Sequence, residues 1–230
     1  MTARDLAAAL PGIGTLKDLC RSMAMAEAIL NPDGECIYSY SAQWSETEEA
    51  ASMRNGSGDE YDMVFAPEGA YIRGFDHESP LSPYHHEDVP RPWPGVLDSV
   101  PEAFRRHVDE PAFTDENGCP VVTVCLWRAA DALSWETGRI TFPEGHPDPD
   151  GSHWLFELLL DPTPEAFRSF AEDYYEVSAD IETLRYIYDL RPLGLPQVIA
   201  LNSGASVPEV AAAATAMGYP LADDLRSDAP

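Results

Sequence analysis

Two short stretches concentrate the side chains that can do chemistry. One is Arg54-Asn55-Gly56-Ser57-Gly58-Asp59-Glu60; the other is Asp76-His77-Glu78. Glycines alternating with small polar residues can turn successive backbone N–H groups toward one point, a nest for an anion or a ligand carboxylate, with Arg54 as its charge partner. Arg54, Asn55, Ser57, Asp59 and Glu60 are therefore candidate ligand-binding residues. The same residues also suit a tight turn entering a strand, in which glycine supplies positive φ and Asn and Asp bond back to the backbone. In the second stretch an extended chain points Asp76 and Glu78 to one side and His77 to the other. Asp76, His77 and Glu78 become a metal-ligand set only if the chain bends, which Gly74 before and Pro80 after permit. Two carboxylates on one side, with His85 and His86 a few residues on, can also work as acid and base. The competing reading is a salt-bridged turn, with Asp76 or Glu78 paired to Arg54 or Arg73.

Elements must position these groups. Glu60 to Phe65 and Ala70 to Phe75 read as strands joined through Pro67-Glu68-Gly69, a hairpin that places the two stretches at one end. Upstream, Thr15-Leu16-Lys17-Asp18 reads as a capping box opening a helix that Asn31-Pro32 stops, and Asp33-Gly34 is a turn. Cys36 to Ser41 alternates as a strand, and Trp44 to Ala51 reads as an acidic loop or short helix. Pro80 to Pro94 is too proline-dense for regular structure; Trp93 within it is a candidate stacking platform or a plug over a core edge. A short helix follows Ser99-Val100-Pro101-Glu102. Val121 to Trp127 and Trp135 to Phe142 are further strands, the first central, the second with Gly138 as a candidate bulge. Asp148-Pro149-Asp150-Gly151 lacks the remaining oxygen ligands of a calcium loop and reads as a turn into a helix over Ser152 to Leu160. Helices then start at Thr163, Ser178, Pro196 and Ser206. Strands first and helices afterwards predict an α+β fold: one domain over 1–230, strand-rich over 31–142 and helical over 151–218, its antiparallel sheet carrying the C-terminal helices on one face.

Composition limits the function classes. The chain has 230 residues, enough for a substantial core. Forty acids against fourteen bases give a formal charge of −26, a field that repels nucleic-acid backbones and attracts a basic surface. No run of apolar residues is long enough to span a membrane, and the N-terminus has no signal-peptide pattern, so the expected location is the cytoplasm. Four cysteines without CxxC spacing predict buried or half-buried free thiols. No P-loop, HExxH, GxSxG or complete dinucleotide fingerprint is present, and no cofactor is indicated.

Met53-Arg54-Asn55-Gly56-Ser57-Gly58-Asp59-Glu60-Tyr61, Gly74-Phe75-Asp76-His77-Glu78-Ser79, Trp93-Pro94-Gly95-Val96, Glu110-Pro111-Ala112-Phe113 and Trp127-Arg128 together resemble a family of uncharacterised bacterial proteins, over about residues 50–200. The resemblance implies no activity, cofactor or substrate. Two readings follow from the residues. The first is a non-enzymatic binding protein, antitoxin- or immunity-like, that covers a basic partner. The alternative is a small-molecule or metal-dependent enzyme whose site joins the 54–60 loop to Asp76, His77 and Glu78, with Arg54 clamping a small anionic ligand.

Overall fold

The computed structural model describes residues 1–32, 34–85 and 89–226. In chain order its elements are α1 (Ala3–Ala9), α2 (Ile13–Leu30), β1 (Tyr38–Ser41), β2 (Glu49–Arg54), β3 (Glu60–Ala66), β4 (Gly69–Phe75), α3 (Arg105–Val108), β5 (Val124–Ala129) and β6 (Glu136–Thr137). Then come α4 (Glu157–Leu160), α5 (Pro164–Tyr175), α6 (Ile181–Tyr188), α7 (Leu195–Leu201), α8 (Val207–Met217) and α9 (Asp223–Arg226). The six strands form one antiparallel sheet in chain order, and the helices α4 to α9 fill the C-terminal part, an α+β fold.

The chain divides into two compact units, Met1–Ile13 with Met53–Leu160, and Gly14–Ser52 with the chain from Asp161 on. The first is built on the β3–β4 hairpin, in register from Glu60↔Phe75 to Ala66↔Gly69, with β5 antiparallel on the other side of β4. β4 is buried along its whole length, as a strand with neighbours on both edges and both faces covered should be. Ile72 on β4 stands between Met63 of β3 and Leu126 of β5, and all three are wholly buried. Tyr61 stacks on Phe156 with ring centres 5.0 Å apart. At Gly74 a Cβ would stand 3.0 Å from Leu155 and 3.1 Å from Phe156, so only glycine lets that segment approach without displacement. α1 joins this unit through Ala3 N–H, which donates to Asp150 Oδ2 at 2.8 Å, and Trp135 Nε1 donates to Pro11 O at 2.7 Å.

The second unit centres on α2, which buries Leu16, Leu19, Met23 and Ile29. Glu27, also wholly buried on α2, accepts the N–H groups of Ile37 and Tyr38 and the Tyr175 hydroxyl. Asn202 Nδ2 donates to Ile29 O at 2.9 Å, which ties the end of α7 to the end of α2.

Several local expectations are revised. α2 begins at Ile13, so Thr15 lies inside its first turn rather than capping it; first-turn amides need no intrahelical partner, and glycine costs little there. The acidic stretch before Met53 ends in a strand, β2, because Ala51 and Met53 are buried in alternation and sheet pairing overrides the helical preference of Glu and Ala. β6 is only two residues long. A Cβ at Gly138 would lie 1.8 Å from Gly95 O, so this glycine admits a crossing backbone rather than making a bulge. Helix over 152–160 shrinks to α4, because Asp148 and Asp150 take the N–H groups of Ser152, His153 and Trp154 and hold a turn. α6 is capped by Asp180, which accepts Thr183 N–H at 2.8 Å, rather than by Ser178. The cysteines are free, Cys20 and Cys125 buried and Cys119 half-buried, but Cys36 is exposed. The Asp33-Gly34 turn and His86, Glu87 and Asp88 fall wholly or partly outside the described residues. Among the described residues no helix is long and apolar enough to cross a membrane.

Candidate functional site

The loop from Asn55 to Gly58 connects β2 to β3, and its own side chain closes it. Asn55 Oδ1 accepts the N–H groups of Ser57 (2.9 Å) and Asp59 (3.1 Å), and Asn55 Nδ2 donates to Asp59 Oδ2 at 2.7 Å. Gly56 and Gly58 have φ of 75° and 105°, which only glycine adopts cheaply. The amides of Ser57 and Asp59 therefore serve the turn. Arg54 turns to the strands instead: its Nε is 2.9 Å from Glu60 Oε2, its Nη2 2.7 Å from Asp62 Oδ1, and its Nη1 donates to Tyr61 O at 2.9 Å. Arg73, only 2 % exposed, meets the same two acids at 2.5 Å each and lies over the Phe113 ring at 4.8 Å. This network is the partner arrangement expected for buried charge. The arginines pair with Glu60 and Asp62, rather than with Asp76 or Glu78 as the salt-bridged-turn reading supposed.

The hairpin register puts Glu60 opposite Phe75, so Asp59 and the residues after Phe75 meet at one end of the sheet. Asp59 Oδ1 accepts both the His77 N–H (3.1 Å) and His77 Nδ1–H (2.7 Å). Its Oδ2 accepts from Asn55 and, at 3.4 Å, from the Trp154 indole. Burial pushes the Asp59 carboxyl up, but the hydrogen bonds from His77, Asn55 and Trp154 outweigh it and hold the group below the usual aspartate range. The hydrogen bond to Asp59 raises His77 and outweighs the opposing effect of desolvation. Asp76 differs from Asp59. Burial raises it, the Asp59 charge adds to the effect, and the N–H of Glu78, at 2.9 Å from Oδ1, offsets it only in part.

A second segment completes the site. Thr123 Oγ1 accepts Asp76 N–H at 3.1 Å and donates to Asp150 O at 2.8 Å, and Ser79 Oγ donates to Pro149 O at 2.7 Å. Gly151, at φ 79°, passes so close that a Cβ would lie 2.5 Å from Asp76 Cβ. Together these fix the turn after β4 against residues 146–154. Between them lies an open cleft of about 380 Å³ lined by Asp59, Asp76, His77, Glu78, Ser79, Pro80, His146, Asp148 and Trp154.

Of the residues singled out in the sequence, the cleft gathers Asp59, Asp76, His77 and Glu78. One ligand atom each from Asp59, Asp76 and His77 lies within 4.8 Å of the others, which is compatible with holding a metal ion. Glu78 sits at the rim, its side chain 85 % exposed and its Oε1 3.9 Å from His77 Nε2. Arg54, Asn55, Ser57 and Glu60 do not line the cleft; Arg54 and Glu60 belong to the strand network, and Asn55 acts on it through Asp59. Trp93 is elsewhere, donating to Thr141 O at 3.1 Å. His146, Asp148 and Trp154 are the additions. The Asp148-Pro149-Asp150-Gly151 motif was their one visible signal. Asp148 is held in place by the N–H groups of His153 (2.9 Å) and Trp154 (3.0 Å).

The chain matches no protein-family model, no curated protein and no solved structure.

Proposed function

We propose that the protein is a non-enzymatic binding protein whose cleft at Asp59, Asp76, Glu78 and Asp148 takes a positively charged group from a basic partner. The observation that carries this reading is the lining of the cleft: four carboxylates and two histidines, with no lysine or arginine among them. A wall with one sign of charge in a chain of formal charge −26 concentrates cations and speeds their encounter. Trp154, half-exposed at the cleft, offers an aromatic face on which an ammonium or guanidinium group can rest. A small anionic ligand is the less favoured occupant, because Arg54 is committed to Glu60 and Asp62 and the Ser57 and Asp59 amides to Asn55. Nor does the cleft present an activated nucleophile: Ser79 Oγ is buried and bonded to Pro149 O and Leu81 N–H.

A second reading rests on the convergence of Asp59, Asp76 and His77, which suits a divalent cation. Asp76, with carboxylate capacity to spare, would be the strongest new ligand, and a metal-dependent reaction would follow from it.

One experiment separates the two. Melting of the wild type and of Asp76→Asn is followed with magnesium, calcium, manganese and zinc in turn, and with a synthetic octa-lysine peptide in the presence of EDTA. Ligand at about 100-fold over its Kd stabilises the native state by about 2.7 kcal/mol. A shift with the peptide that Asp76→Asn reduces supports the binding reading. A shift with one metal, lost in Asp76→Asn, supports the metal reading. The absence of both would sink this assignment of the cleft.

A further inference from the structure

A surface in the second unit has no part in the cleft. At the C-terminal end of α5, Phe170 is the hub of an aromatic cluster: Tyr38 meets it edge-on with ring centres 5.3 Å apart, Tyr174 stacks on it at 5.6 Å, and Tyr175 meets it edge-on at 5.8 Å. Tyr174 is 53 % exposed, and Phe170 and Tyr38 are half-buried. These rings therefore present a shared aromatic face to solvent.

Its position is fixed from below. Glu27 accepts Tyr38 N–H at 2.8 Å and the Tyr175 hydroxyl at 2.5 Å, so one buried carboxylate holds the strand that carries Tyr38 and the helix end that carries Tyr175. Two of the rings that meet Phe170 are thus tied to one buried side chain, which lowers the ordering cost of binding.

Acids outnumber bases around it: Arg168 and Arg185 flank the stretch, and Arg185 is paired with Glu165 and Glu182. Between Ser169 and Leu184 the chain has Glu172, Asp173, Glu176, Asp180 and Glu182 and no lysine or arginine. Glu172, Asp173 and Glu176 are exposed. Glu172 is 3.9 Å from Arg168, whereas Asp173 and Glu176 have no ion-pair partner among the described residues.

We infer that the Tyr38–Phe170–Tyr174 face docks an arginine-bearing segment of a basic protein, with a guanidinium stacked on Tyr174 and paired to Asp173 or Glu176. Arginine fits better than lysine because its planar group stacks on a ring while its edge pairs with a carboxylate; lysine offers a strongly hydrated point charge. This inference goes beyond the cleft and does not depend on it.

The test uses the full chain and two synthetic probes, octa-arginine and octa-lysine, titrated calorimetrically into wild type, Tyr174→Ala and Asp76→Asn. Tyr174→Ala leaves the net charge untouched and removes an exposed ring, so it isolates stacking from the general field. The expected result is a Kd for octa-arginine raised roughly two- to five-fold by Tyr174→Ala, with octa-lysine binding unchanged by the same substitution. Amide chemical shifts of the wild type should move over residues 170–176 with octa-arginine. Equal affinity of wild type and Tyr174→Ala for octa-arginine, with no movement over 170–176, overturns the inference. Movement confined to Asp76, His77 and Asp148 leaves the cleft reading standing and overturns this one. Movement confined to 170–176, with Asp76→Asn binding normally, supports this inference and removes the cleft. Sedimentation that shows a wild-type dimer dissociated by Tyr174→Ala would assign the face to a second copy of the chain and overturn the arginine partner.

Discussion

Replacing Glu27 by glutamine should change how stability depends on pH. Burial pushes the Glu27 carboxyl up from 4.5 to about 7, and the hydrogen bonds from Tyr175, Tyr38 and Ile37 only moderate the rise. The folded chain then keeps its proton to about pH 7, while the unfolded chain releases it near 4.5. Stability from this group is complete below the unfolded value and is lost as pH rises through the interval to the folded one. Each pH decade of difference is worth about 1.4 kcal/mol, so the total loss is roughly 3 kcal/mol. Glutamine keeps an acceptor for Ile37 or Tyr38 but cannot ionise. It costs a constant amount for the donor it misplaces, and no pH dependence. Urea denaturation of wild type and Glu27→Gln, followed by far-ultraviolet circular dichroism from about pH 4 to about pH 8, reads the difference directly. Repulsion among the other acids changes with pH in both proteins and cancels in the subtraction. The wild type should lose about 3 kcal/mol relative to the variant across the interval. Parallel curves would refute the reasoning, since they would mean that Glu27 ionises in the folded chain as readily as in the unfolded one.

Three further substitutions have definite expected outcomes. Gly151→Ala places a methyl group against Asp76 at a φ of 79°, so it should cost about 1–3 kcal/mol in urea denaturation and disturb the Asp76 amide resonance. Arg73→Ala leaves Glu60 and Asp62 facing each other at the sheet without their buried cation and should cost about 3–5 kcal/mol by the same assay; a loss below 1 kcal/mol, on the order of an exposed ion pair, would show that the network is solvated. Asn55→Ala removes three hydrogen bonds from the β2–β3 loop. It should cost about 1–3 kcal/mol and free Asp59 to move, seen as a change in the His77 ring resonances; unchanged resonances would refute the link from loop to cleft.

What could be read from the sequence, and what could not, divides by range. The β3–β4 hairpin was legible because two apolar runs flank Pro67-Glu68-Gly69, and α5 and α8 because Thr163 and Ser206 precede a proline and an amphipathic run. Asp59, Asp76, His77 and Glu78 were legible as chemistry because the hairpin brings near neighbours in sequence to one end. Trp154 was not, since it meets Asp59 across 95 residues and nothing in a tryptophan announces its partner. β2 was hidden by residues that prefer helix, and β6 by a strand pattern that a crossing backbone interrupts at Gly138. Arg54 was legible as a charged partner but assigned the wrong acids. Glu60 and Asp62 alternate on β3, so period two puts both on one face, where Arg54 and Arg73 each reach both.

The first thirteen residues belong to a unit whose remainder begins at Met53, and α1 is tied to Asp150. A ribosome adding roughly 5–20 residues each second makes α1 early and exposes its acceptor only after a delay of about ten seconds. During that delay the Ala3 N–H and the apolar face of α1 have no native partner. A seven-residue helix is too short to persist by itself in water. Residues 3–9 are thus structured well after they are synthesised, and a nascent chain stalled before residue 150 would present them to chaperones and proteases as unfolded polypeptide.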